Sequence, residues 1–171
     1  EKHIVTNHRF IKDPTKLKEF LTAIDNYKGN KYTKFALQLG ACTALRSGTI
    51  RALKWEYIDF TQNIINIPAE LMKMKRPFIL PISSQAKAIL KELEAYKIGV
   101  YLFSTNSKIM SENTLNKAIK ILGFGDEATF HGFRSQFSTI CHDNTQDHGL
   151  TSEVIELCLA HEDNNKVRSA Y

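Results

Sequence analysis

The stretch TALRSGTIRALKWEY, residues 43–57, marks the point where the periodicity of the sequence changes. Before it, over about residues 32–45, apolar side chains are nearly continuous, which predicts a helix buried deep in the core. After it, apolar and polar residues alternate over short segments, as in strands. We therefore expect a mainly α fold with a small antiparallel β-sheet of about three strands.

Arg46 lies inside this stretch, at the seam between the buried run and a new helix start. Ser47 is expected to cap a short helix that continues to about Leu53. A guanidinium at such a seam costs free energy unless it has an anionic partner. A structural salt bridge to a core carboxylate and a bound anionic ligand explain the position equally well.

Three strands are expected downstream of the seam, over residues 55–60, 64–67 and 78–82. Between the last two, Lys73, Lys75 and Arg76 fall within four positions. Such a charge run is usually a solvated loop. The alternative is a β-hairpin that lays cations along a nucleic-acid backbone.

Start and stop signals predict further helices over about residues 13–29, 83–99, 111–123, 129–144 and 152–158. The first begins at Asp13-Pro14, an N-cap followed by proline at the first helical position. Residues 1–12 show little periodicity and are expected to form a linker, with one domain over residues 13–171. His131 and Arg134 are three residues apart, so at a helix start they share a face.

The charge balance is compatible with a polyanionic partner but does not require one. Lys and Arg number 23 against 18 Asp and Glu, which gives a net charge of +5 and a pI near 9.1. That excess suits nucleic acid and could equally be a solvated surface. No apolar run has membrane-spanning length and residues 1–6 lack the apolar core of a signal peptide, so we expect a cytoplasmic protein without a membrane partner.

The three cysteines predict neither disulfides nor a metal site. Cys42, Cys141 and Cys158 are widely separated and form no C-x-x-C pair. We expect reduced, mostly buried thiols, with Cys42 facing inward from the buried helix. His142 and His148 lie near Cys141, but their spacing matches no zinc template.

The final residues, LAHEDNNKVRSAY (159–171), carry an imidazole at His161 and a phenol at Tyr171. Taken alone, packing or capping explains both side chains. The stretch gains interest because the upstream chain supplies the basic groups that a phenol needs to attack a phosphate.

Four motifs resemble those of the tyrosine recombinase catalytic domain, the phage integrase family, with prophage and genomic-island integrases the most similar type. TALR (43–46) with IRALKW (50–55) resembles the first arginine box, and MKMKRP (72–77) with PIS (81–83) resembles the lysine hairpin. HGFR (131–134) and LAH (159–161) match the second box. Tyr171 falls where the family has its nucleophile. The resemblance runs from about Asn7 to the end of the chain.

The resemblance implies strand cleavage by phosphoryl transfer to a tyrosine hydroxyl, without metal or cofactor. It assigns catalytic roles to Arg46, Lys73, His131, Arg134, His161 and Tyr171, and DNA-backbone contacts to Lys75 and Arg76. The arginines would hold the non-bridging oxygens. Lys73, or Lys75 if the hairpin register differs, would protonate the leaving 5′-oxygen.

The histidines and the tyrosine complete the implied site. His131 would accept the phenol proton of Tyr171, whose ordinary pKa near 10 requires such help at neutral pH. His161 would hydrogen-bond the scissile phosphate. Taken singly, each histidine is better explained as an ordinary packed residue. Because the given sequence ends at Tyr171, we expect the tail to be poorly held, with the phenol away from both arginines.

Thr49 departs from the family pattern. Three residues after its first arginine the family commonly carries an acidic residue, which would help to orient the site. We expect activity to survive with weakened positioning of Arg46, and Thr49→Glu to change the cleavage rate or the DNA affinity.

The implied partner is double-stranded DNA, bound by tetramers on two DNA sites. The core-binding and arm-binding domains usual in the family do not fit within residues 1–12, so the sequence is interpreted as an isolated catalytic fragment, whose own state, monomer or not, is left open. A fold that has lost catalysis and only binds DNA is one alternative function. A type IB topoisomerase-like enzyme is another, and it would relax supercoiled plasmid without needing a particular site.

Overall fold

The helices and strands lie mostly where the periodicity predicts them. A computed structural model describes residues 8–104 and 108–160. Its helices are α1 (Pro14–Asp25), α2 (Lys31–Thr43), α3 (Ser47–Arg51), α4 (Ser84–Glu94), α5 (Thr114–Ile121), α6 (Gly132–Asp143), α7 (Thr145–His148) and α8 (Ser152–Cys158). Its strands are β1 (Ile58–Asp59), β2 (Ile64–Ile67) and β3 (Phe78–Pro81), with 3₁₀ turns at Trp55–Tyr57 and Ala69–Leu71. The expected fold class, mainly α with a small three-stranded antiparallel sheet, is confirmed.

α1 and α2 begin at residues whose side chains cap them. Asp13 accepts a hydrogen bond from the backbone N–H of Lys16 at 2.7 Å, and Pro14 is the first helical residue. Asn30 caps α2 by accepting from the backbone N–H of Tyr32 at 2.9 Å. The helix start predicted at Asp13-Pro14 is confirmed.

α2 is the central helix of the core. It packs against α1, α4 and α5, and Phe35, Leu37 and Leu39 are at most 3% exposed. The predicted deep burial of this helix is confirmed. Ile50 and Leu53 belong to the same core, so the core includes side chains on both sides of the break between α2 and α3.

α2 ends at Thr43, two residues before the end of the apolar run. Ala44 adopts a left-handed conformation, with φ +50°, and donates its N–H to the Gly40 carbonyl at 2.9 Å. For a residue with a Cβ this conformation costs roughly 1–2 kcal/mol, so contacts elsewhere must hold it. Leu45 stays buried outside the helix, which is why apolarity alone placed the helix end too late.

The sheet has the order β1-β2-β3, and both pairings are antiparallel. The second and third strands are found where predicted, with Ile67 opposite Phe78. The first predicted strand, residues 55–60, is wrong over its first half, where the chain forms a 3₁₀ turn. Trp55 is buried there, and its backbone N–H bonds the carbonyl of Val100 rather than a neighbouring strand.

Several predicted helix boundaries are wrong by a few residues. Ser83 caps α4, close to the predicted helix start, but the helix ends at Glu94, well before the predicted end at Gly99. Beyond that end, the carbonyl of Tyr96 accepts a hydrogen bond from the Tyr32 hydroxyl at 2.6 Å. The N-cap position of α3 is Arg46 rather than Ser47, α5 starts at Thr114 after Asn113 rather than at Ser111, and α6 starts at Gly132.

The cysteines are unpaired, but the expectation that most are buried is wrong. Cys42 and Cys158 are exposed and Cys141 is of intermediate exposure. Cys42 lies in the last turn of α2, next to the helix end at Thr43. The sequence pattern could not indicate that end, because the apolar run continues past it.

Two further properties concern only the described part of the chain. None of its helices is both long and apolar enough to cross a bilayer. Within the same residues, no group of three or more histidine, cysteine or acidic side chains is arranged to hold a metal ion.

Candidate active site

Arg46 occupies the N-cap position of α3, with extended backbone (φ −65°, ψ 148°). The left-handed turn at Ala44 and the buried Leu45 direct the chain so that Arg46 is only half-buried. Burial lowers the pKa of its guanidinium. Among residues 8–104 and 108–160, no carboxylate forms an ion pair with Arg46, so the structural salt bridge considered for this position is not found in the described part of the chain.

Arg134 lies in the first turn of α6 and is 5% exposed. Its Nη1 donates to the carbonyl of Ala44 and its Nη2 to the carbonyl of Leu159, each at 2.7 Å. The guanidinium therefore ties the end of α2 to the end of α8. Both of these acceptors are neutral carbonyls, so these two bonds do not themselves neutralise the positive charge.

The two guanidinium groups, called here the arginine pair, repel one another. Burial and then the charge of Arg46 lower the pKa of Arg134 to about 10 from 12.5, while the charge of Glu156 acts in the opposite direction. Arg134 therefore remains protonated at neutral pH. Two partly desolvated positive charges that repel one another form a site that an oxyanion would stabilise.

His131 immediately precedes α6 and lines a cavity together with Arg134. An open cavity of ≈ 300 Å³ is lined by His131, Arg134, Phe10 and Leu159 among others. The His131 ring contacts the ring of His8, with centroids 4.0 Å apart. Two residues predicted to be catalytic, His131 and Arg134, are thus brought to one cavity, as their spacing on a helix start predicts.

Gly132 allows the N-terminal segment to cross the start of α6. A Cβ on Gly132 would lie 2.2 Å from the carbonyl oxygen of Arg9, which any larger residue would have to displace. The same carbonyl accepts the N–H of Thr129 at 3.2 Å, and Ile11 is 5% exposed in the core. The glycine between His131 and Arg134 is explained by this close backbone approach.

Lys73, Lys75 and Arg76 are exposed on the loop between β2 and β3, and residues 73–77 are called here the lysine loop. The β2–β3 hairpin is found and the three cations are exposed on its connection, which fits a solvated loop as well as contact with a nucleic-acid backbone. Met72 anchors the loop with its side chain in the core, and its carbonyl accepts the N–H of Lys75 at 3.1 Å. Lys75 itself adopts a left-handed conformation, with φ +53°.

Thr49, the residue at the position where the family commonly has an acid, is 4% exposed. Its hydroxyl donates to the carbonyl of Leu71 at 2.9 Å, at the base of the lysine loop. The expected effect was on Arg46, so sequence reasoning missed this contact. A threonine hydroxyl can donate a hydrogen bond, which an ionised carboxylate cannot do. This difference was the sequence signal that Thr49 could bind an acceptor.

The described residues thus include four of the six predicted catalytic residues. Arg46 and Arg134 adjoin one another, His131 shares a cavity with Arg134, and Lys73 lies on a loop whose base is bonded to α3. His161 and Tyr171 lie outside the described residues, and so does the expectation about the tail. The sequence did not indicate the carbonyls of Ala44 and Leu159 as partners, because backbone acceptors carry no residue signature.

Comparison with known proteins agrees with this arrangement of motifs. The sequence profile described as the phage integrase family matches residues 12–171. The chain belongs to this family. It is 33% identical over 172 residues to the integrase of Enterobacteria phage P4, covering 90% of this chain and 38% of that protein. The chain spans less than half the length of the curated relatives that it matches first.

Solved structures support the fold of this integrase-family chain. A lambda integrase tetramer bound to a Holliday junction gives a TM-score of 0.70 at 18% identity, covering 97% of this chain and 51% of that one. The XerA recombinase gives 0.70 at 19% identity, covering 97% and 65%. The predicted resemblance to tyrosine recombinase catalytic domains is confirmed.

Proposed function

We propose that this chain is the catalytic domain of a site-specific DNA recombinase, acting in the integration or excision of a mobile element. The observation that carries the proposal is the arginine pair: two guanidiniums whose charges interact, of which Arg134 lines a cavity together with His131. The two positive charges would bind the negatively charged oxygens of a phosphodiester. Membership of the phage integrase family supports the same reaction.

The proposed reaction is phosphoryl transfer from DNA to Tyr171. The phenol gives its proton to His131, the phenolate oxygen bonds to phosphorus, and the bond from phosphorus to the 5′-oxygen breaks. Lys73 donates its proton to the departing oxygen, leaving a 5′-hydroxyl and a 3′-phosphotyrosyl link. Arg46 and Arg134 stabilise the negative charge that grows on the non-bridging oxygens, and His161 hydrogen-bonds the same phosphate.

The proposed partner is double-stranded DNA, with Lys75 and Arg76 on its backbone. Their exposure on the lysine loop and the net charge of +5 support this role. The lambda integrase that this chain resembles is described as a tetramer on a Holliday junction. We extend that assembly to the full-length protein, together with a cytoplasmic location, where the DNA would be met.

A nicked suicide duplex tests the proposal. Because the position of the target site is open, a pool of duplexes randomised around one nick is incubated with the full-length protein, and covalent adducts are isolated. The proposal expects an adduct confined to a small set of sequences and abolished by Tyr171→Phe. Binding without any adduct would favour a catalytically impaired DNA-binding module. Adducts on every sequence, with relaxation of any plasmid, would favour a topoisomerase.

A further inference from the structure

Thr49 links the segment of the first arginine to the lysine loop. We infer that Thr49 is a positioning residue for Lys73, an inference that rests on the proposed function because it assumes that Lys73 is the general acid. In this chain the hydroxyl would locate the proton donor, a different task from orienting Arg46.

The hydrogen bond joins a buried side chain to a part-buried backbone carbonyl. Thr49 is 4% exposed, and its Oγ1 donates to the Leu71 carbonyl, 22 positions further along the chain, at 2.9 Å. Leu71 ends the 3₁₀ turn Ala69–Leu71. Among the described residues, Thr49 is the donor found for this carbonyl. Removal of the hydroxyl would leave a part-buried acceptor without this partner, which is more costly than the removal of an exposed hydrogen bond.

This hydrogen bond joins two segments that lie close in sequence to the proposed catalytic residues. Arg46 precedes Thr49 by three residues, and Lys73 follows Leu71 by two. Met72 is 5% exposed in the core, and its carbonyl accepts the N–H of Lys75 at 3.1 Å. The backbone at Lys73 is therefore located from both sides while its side chain stays exposed. The bond from Thr49 fixes that backbone relative to α3.

A displaced Lys73 affects one bond-breaking step. As the phenolate oxygen of Tyr171 bonds to phosphorus, the bond from phosphorus to the 5′-oxygen breaks and the ammonium proton moves to that oxygen. A sulfur in place of the 5′-oxygen leaves as a thiolate and needs no proton, because thiols have an ordinary pKa of about 8.5. A defect that acts through Lys73 is therefore relieved by the sulfur substrate.

The experiment compares two substrates within each variant of the full-length protein. A sequence captured by the wild-type protein from the randomised nicked duplexes is made with oxygen or with bridging sulfur at the 5′ position of the scissile phosphate. Adduct rates are measured for wild type, Thr49→Val, Thr49→Ser and Lys73→Ala. Thr33→Val is the matched control, because Thr33 is 3% exposed as well but lies in the first turn of α2, where its backbone N–H bonds the Asn30 carbonyl.

The quantity compared between variants is the adduct rate on the oxygen substrate divided by the adduct rate on the sulfur substrate. We expect Lys73→Ala to lower it by about 10²-fold or more, as removal of a general acid does. Thr49→Val should lower it by about tenfold, the size of one displaced hydrogen bond, and Thr49→Ser should restore it. Thr33→Val should leave the ratio unchanged. Because both rates come from the same preparation, any decrease in the amount of folded protein cancels.

The outcomes separate this inference from the proposed function. Thr49→Val slowing both substrates equally would mean a general structural role and would overturn the inference, as would a Val variant with wild-type rates on both. No wild-type adduct on either substrate would overturn the proposed function, and the inference with it. If Thr49→Val does not fold, Thr49→Ala removes the same hydroxyl without adding a methyl group against the Leu71 carbonyl.

Discussion

The arginine pair and the lysine loop carry the same charge but are held in opposite ways. Arg134 is 5% exposed and bonded to two carbonyls, whereas Lys73 and Lys75 are exposed on a loop. Burial of a charge costs free energy on folding, and exposure of a lysine costs almost none. Under the proposed function, folding would form the arginine part of the phosphate site, and the exposed lysines would settle only when DNA binds.

Replacement of Arg134 should have the largest effect, because it should reduce both the cleavage rate and the stability of the fold. Arg134→Gln should reduce the adduct rate by about 10³-fold, since a preorganised donor to the transition-state charge is removed. It should also lower the free energy of unfolding by about 1–3 kcal/mol, because the carbonyls of Ala44 and Leu159 lose a donor. Urea unfolding and suicide-duplex cleavage measure the two effects. Unchanged unfolding would show that Arg134 does not hold α2 to α8.

Replacement of Arg46 should separate activity from stability. Arg46→Gln should lower the adduct rate by about 10²–10³-fold for the same electrostatic reason. Its free energy of unfolding should stay the same or rise, because the repulsion that lowers the pKa of Arg134 is removed. The same two assays apply. A clear decrease in stability would mean that Arg46 makes a stabilising contact that outweighs its repulsion with Arg134.

Substitutions in the lysine loop should change the cleavage rate and leave the free energy of unfolding unchanged. Lys73→Ala should slow cleavage by about 10²-fold, the lower end for a general acid, because Lys75 is close enough to substitute in part. Lys75→Ala, its matched control in the same loop, should slow cleavage far less. Neither should change urea unfolding, since both side chains are exposed. The reverse order of the two cleavage defects would assign the general acid to Lys75.

The smallest effect should come from the side chains proposed to lie on the DNA backbone. Replacing both Lys75 and Arg76 by alanine should weaken DNA binding and flatten its dependence on salt. The slope of log affinity against log salt should change by about 0.9 for each phosphate that is no longer neutralised. Fluorescence anisotropy at several salt concentrations measures that slope. An unchanged slope would place both side chains off the DNA.

Sequence reasoning found the charged residues of the site more readily than what holds them. Arg46, His131 and Arg134 were recognised from motifs, and the structure brings Arg134 to the other two. The carbonyl partners could not be predicted, because they depend on a left-handed alanine at residue 44 and on where α8 ends. Alanine rarely adopts that conformation, so no local rule indicates it.

Thr49 and Trp55 show the same limit in the fold itself. The position of Thr49 was noticed, but its partner lies 22 residues away and is a backbone atom. The alternation around Trp55 predicts a strand, yet its N–H bonds Val100 and the chain turns. In both places a contact distant in sequence decides the local structure, and periodicity reports only on neighbours.

The packing of the first described residues determines where this domain can be cut. The family match begins at residue 12, and a truncation there would remove Ile11 from the core, at a cost of about 1.5–3 kcal/mol for an isoleucine of that burial. It would also remove the Arg9 carbonyl from Thr129 and the His8 ring from His131. A fragment for expression should therefore keep residues 8–11, although the profile leaves them out.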